Sequence, residues 1–81
     1  MSRRLFEEIV TRTGLAPMIG PGTVQRALHA VGVASPEHAQ TDDYLRALPE
    51  LRMRMAIYLD AALVEQRLRQ IEAHLKHVSG A

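Results

Sequence analysis

From Pro49 to Val78 the chain holds no glycine and no second proline, and its apolar residues keep helical spacing throughout. Leu51, Met55, Tyr58 and Ala62 step by four, three and four; Val64, Leu68, Ile71, Leu75 and Val78 step by four, three, four and three. Such steps put side chains on one face of an α-helix. Built as one unbroken helix, the stretch would reach roughly 45 Å at 1.5 Å per residue. A compact chain of 81 residues has a radius of gyration of only about 12 Å. The rod must therefore break or be shared with a second copy. Asp60 marks the place for a break, as an N-cap flanked by Leu59 and Val64 at hydrophobic-staple spacing.

Upstream, glycine and proline divide the chain more plainly. Ser2 to Thr13 reads as a helix, with Ser2 as N-cap, Leu5, Phe6, Ile9 and Val10 on one face, and Gly14 as a left-handed stop. Ile19 to Val33 holds the next. With Gly20 as N-cap, Pro21 falls at the first helical position, and Ile19 and Val24 have staple spacing. Val24, Ala27, Leu28 and Val31 form its buried stripe, and Gly32-Val33 predicts a Schellman end. The apolar run Leu15 to Ile19 between the two is open to either reading, tucked into the core or turned outward. Ser35-Pro36-Glu37 predicts a single turn. Thr41 then caps a helix whose Asp42 and Asp43 suit its positive end. Either Pro49 starts a new helix or one helix runs through it with a kink, because the stripe from Tyr44 through Leu48 to Leu51 keeps phase across it. Glu8 with Arg12, Glu65 with Arg69 and Glu72 with Lys76 have the spacing of surface pairs. Strand signals are poor. The expectation is an all-α, small bundle of four to five helices, residues 1–81 forming a single helical domain with a long C-terminal helix or helix pair.

Several classes of function fall away on residue types alone. At 47% hydrophobic and 23% charged the chain has a globular rather than a disordered composition. Without cysteine it has no disulfide, thiolate nucleophile or Cys-based zinc site. His74 and His77 are three apart, but two imidazoles are not a metal site, and His29 and His38 have no visible partners. The serines, Ser2, Ser35 and Ser79, stand at cap or terminal positions, and the adjacent carboxylates Glu7-Glu8 and Asp42-Asp43 diverge by about 100° on a helix. The Gly20-Pro21-Gly22 loop lacks the lysine and spacing of a P-loop. No catalytic, metal, cofactor or small-molecule substrate site is expected. No apolar run approaches the ~20 residues of a membrane span, and Glu7 and Glu8 interrupt any leader-like core after Arg3 and Arg4. A cytoplasmic protein is expected.

The middle of the C-terminal half carries the functional signal. Met53 and Ile57 lie opposite Leu51, Met55 and Tyr58, and with Ala56, Ala61, Ala62 and Leu63 the segment is apolar nearly all round. A helix of that kind is normally enclosed, and so short a chain has little protein to enclose it. A non-enzymatic protein-interaction module follows, self-associating as a homodimer or docking as an adaptor on a larger protein. Met53, Ile57, Leu68, Ile71 and Leu75 are its expected interface.

A second reading comes from Thr23-Val24-Gln25-Arg26-Ala27-Leu28-His29-Ala30-Val31-Gly32. This run resembles the recognition helix of bacterial helix-turn-helix repressors of the LacI and GntR type. The helix ending at Gly14-Leu15 stands where the first helix of that motif would be, although Gly14 and Thr23 are nine positions apart, a longer turn than the motif's. The resemblance implies a DNA-binding regulator contacting nucleic acid through Thr23, Gln25, Arg26 and His29, with Arg26 or Gln25 reading a base edge. Arg3, Arg4 and Arg12 would have to join Arg26 in a patch, because a net charge of +1 supplies no general attraction to phosphate.

Overall fold

The computed structural model describes residues 2–80, with no side-chain description for Ser2, Ser79 and Gly80, so the expected Ser2 cap contact lies outside the described side chains. Among the described residues four helices form: α1 (Ser2–Thr13), α2 (Gly20–Ala30), α3 (Thr41–Met55) and α4 (Ala61–Gly80), with a 3₁₀ turn at Pro36–His38. Among the described residues there is no strand. The helices close into a ring in which α1 packs on α2, α2 on α3, α3 on α4 and α4 back on α1. The 3₁₀ turn covers α1. The all-α class and the helix count agree with the sequence.

The predicted break occurs. After Met55 the chain turns through 56–59, and Asp60 starts α4 by accepting the Leu63 N–H on its carboxylate at 2.9 Å, while its carbonyl accepts the Val64 N–H at 2.9 Å. That reversal turns a rod of roughly 45 Å into two packed helices, and the radius of gyration is 11.3 Å. No second copy is needed to shorten it.

One core results. Phe6 and Ile9 from α1, Val24, Ala27 and Leu28 from α2, Tyr44, Ala47, Leu51 and Met55 from α3, and Val64, Leu68, Ile71 and Leu75 from α4 are all buried in it. Leu68, Ile71 and Leu75, expected at a subunit interface, therefore face their own chain. The physical reason is the Asp60 reversal, which lays the α4 stripe against α1 and α3. The α3 stripe stops at Met55, since the following turn leaves Tyr58 and Ala62 outside.

The ends of the elements locate the remaining differences. Gly32, at φ +90°, forms the predicted Schellman end, with its N–H donating to the His29 carbonyl and the Val33 N–H to the Leu28 carbonyl. The other end of α2 is displaced by one residue, so that Ile19, not Gly20, is the cap. Gly20 is buried, and a Cβ there would lie 3.0 Å from Cγ1 of Val10. Its lack of a side chain lets α1 and α2 approach, a role that periodicity does not reveal. Gln40 takes the cap position expected of Thr41, its N–H donating to the Asp43 carboxylate at 2.8 Å. Pro49 lies inside α3 on the solvent side, so one helix runs through it and the Leu45 carbonyl loses its usual donor. The Leu15–Ile19 run divides: Leu15 packs on the core, whereas Met18 is 96% exposed.

Candidate docking groove

Where α3 ends, the backbone turn is fixed from inside. Met55 is fully buried, its carbonyl accepts the N–H groups of Tyr58 at 3.0 Å and Leu59 at 2.9 Å, and Leu59 packs against the core. With Met55 and Leu59 holding the turn, Ile57 and Tyr58 are left outside, 73% and 49% exposed. Met53, two residues before Met55 and hence on the far side of α3, is 57% exposed. These three side chains, with Arg54, face Thr23 and Arg26 of α2 across a groove of about 340 Å³. A second shallow depression, lined by Arg26, His29, Ala30 and Arg54, shares both arginines with the first.

The electrostatics of the groove are one-sided. No acidic side chain lines either depression. Arg54 donates to the Glu50 carboxylate at 2.6 Å and to the Glu50 carbonyl at 3.3 Å. Arg26 makes no ion pair among the described residues. Thr23 is buried and its hydroxyl donates to the Ile19 carbonyl at 2.9 Å, so it belongs to the fabric of α2.

The expected interface residues thus separate. Met53 and Ile57 share the groove; Leu68, Ile71 and Leu75 do not reach it. The expected nucleic-acid contacts separate as well. Gln25, Arg26 and His29 are exposed, with the His29 ring 3.1 Å from the Ala34 carbonyl, but the buried Thr23 is unable to contact a base. Arg3 pairs with Glu7 and Glu37, and Arg4 with Glu8, so these cations are answered locally rather than pooled with Arg26.

Tyr58 and Arg54 belong to the site without having been expected there. Tyr58 continued the core spacing of α3, and only the turn after Met55 takes it out of phase. Polar groups elsewhere are engaged in holding helices together. His74 of α4 lies 2.9 Å from the Glu8 carboxylate of α1. That contact, ahead of the nearby Arg4 and Arg12 charges, holds the Glu8 carboxyl below its usual range. Glu8 thereby meets Arg12 through its backbone carbonyl, at 3.3 Å. Glu65 likewise pairs across helices, with Arg52 at 3.0 Å rather than with Arg69, whereas Glu72 and Lys76 pair as spaced at 3.1 Å. The Ser35 hydroxyl donates to Glu37 at 2.6 Å. Among the described residues no three His, Asp or Glu side chains gather as metal ligands, and no helix is long and apolar enough to cross a membrane. Comparison with protein families, with curated proteins and with solved structures finds no match to this chain.

Proposed function

We propose that this protein is a small, non-enzymatic helical interaction module that docks on a larger protein through the groove between α2 and the end of α3. One observation carries the proposal: Met53, Ile57 and Tyr58 remain exposed side by side although the chain has a complete core of its own. Clustered apolar exposure of this kind is uncommon on a self-sufficient surface and recurs where partners bind. The concavity fits an inserted side chain better than a flat contact.

The test uses the absence of cysteine from the natural chain. A photo-reactive label on a cysteine introduced at Ile57, with a control label at the exposed α4 position Gln70, is irradiated in the native cell. The expected result is one discrete heterologous adduct from position 57, absent from position 70 and lost when Met53→Lys is added. An adduct at twice the mass of the chain would replace docking by self-association. Equal adduct patterns from the two positions, or none, would remove the groove from consideration.

A further inference from the structure

We infer that the segment seated in this groove is an acidic amphipathic helix, one that inserts an apolar side chain between Met53, Ile57 and Tyr58 and lays a carboxylate on Arg26. The inference rests on the docking reading above and adds the chemistry of the partner. Every charged group lining the two depressions is a cation, and His29 beside them adds a further hydrogen-bonding ring. Arg26 makes no ion pair among the described residues; Arg12, Arg67 and Arg69 make none either, but of these four only Arg26 lines the groove. A carboxylate from outside is the complement that Arg26 lacks, Arg54 having Glu50, and arginine is suited to take it through two parallel hydrogen bonds.

The shape supports a helix. The apolar groove and the polar depression adjoin and share Arg26 and Arg54, so an anchor and a carboxylate three or four residues apart on one helix face can occupy them together. A second copy of this chain fits less well. A two-fold dimer through the groove would set Arg26 and Arg54 near their own counterparts, with Glu50 already engaged by Arg54.

The test titrates the whole protein with two synthetic helical peptides that share Leu and Phe anchors on one face. One carries Glu at the flanking positions and the other Lys. Amide NMR shifts locate binding, fluorescence anisotropy gives affinity, and circular dichroism verifies that every variant stays folded. The expected result is that the acidic peptide binds about tenfold or more tightly than the basic one, with shifts centred on Arg26, Met53, Arg54 and Ile57. Raising the salt weakens it, and Arg26→Glu reverses the preference. Equal or tighter binding of the basic peptide at the groove overturns the acidic assignment and leaves docking standing. Failure of both peptides to bind a folded protein counts against the groove itself. Two parallel arms use a DNA duplex at low salt and anionic phospholipid vesicles. Binding of either that is lost on Arg26→Ala but indifferent to Ile57→Lys would overturn the peptide reading in favour of a phosphate surface.

Discussion

Gly14 and Gly32 both adopt positive φ, +73° and +90°, yet their surroundings differ. A Cβ on Gly32 would meet nothing within 4 Å, so Gly32→Ala isolates the backbone cost of a left-handed alanine, about 1 kcal/mol. A Cβ on Gly14 would stand 2.9 Å from Nε of Arg67, a nitrogen that is buried without an acceptor. That guanidinium is the far end of a flexible side chain and yields at little cost, so Gly14→Ala should cost about as much as Gly32→Ala, ~1 kcal/mol in urea unfolding. Tyr44 offers the converse experiment. Its hydroxyl is buried without a partner among the described residues, and burial pushes the phenol up to about 12. Removing an unsatisfied buried hydroxyl relieves a desolvation cost, so Tyr44→Phe is expected to stabilise the protein by about 1 kcal/mol. A loss of stability on that change would mean that the hydroxyl has a partner in solution.

Pairs of elements are linked by polar side chains as well as by apolar contact, and the Glu8 carboxylate, 2.9 Å from the His74 ring, ties α1 to α4. The Glu8 carboxyl is held below its usual range, chiefly by the His74 hydrogen bond. A carboxylate depressed in the folded state contributes stability above its unfolded pKa, and that contribution is lost as pH falls through the folded value. Asp43, held down by the Gln40 N–H and then by Arg46, acts in the same direction at the start of α3. Stability should thus decline on the acid side of the carboxyl range. Glu8→Gln should flatten that limb in thermal melts taken from pH 6 downward, with little change in its slope if Glu8 is not linked to folding.

The elements also measure how far local chemistry reaches. The Gly14 stop of α1, the Gly32 stop and the Asp60 start were legible because each depends on residues within one helical turn. Pro49 was not, since whether a helix continues through a proline depends on which side of it meets the core, and here the ring lies toward solvent. Gly20 misled for a related reason: its purpose is the nearness of Val10, ten positions earlier in the chain. Of the groove, Met53 and Ile57 were legible as apolar residues on the wrong face of a helix. Tyr58, Arg26 and Arg54 come together there only through packing between helices.

For the molecule as a whole, the α4 stripe and the groove residues make opposite predictions. Leu75 is fully buried and touches the common core, so Leu75→Ala should cost about 2–5 kcal/mol. Ile57→Ala removes a largely exposed side chain and should change stability by no more than about 0.5 kcal/mol. Chemical denaturation of the two variants compares them directly; similar losses would mean that Ile57 is covered in solution. The same contrast makes groove substitutions usable as tests of binding, since they leave the fold in place.

The ring closes where α1 meets α4, through Glu8 with His74 and through Arg67 above Gly14. Higher numbers on α1 face lower numbers on α4, so these two helices run antiparallel, and they are made farthest apart in time. On the ribosome, α1 emerges long before the helix that completes its burial. Until α4 follows, Phe6 and Ile9 have only part of their eventual cover, and closure of the ring must wait for α4.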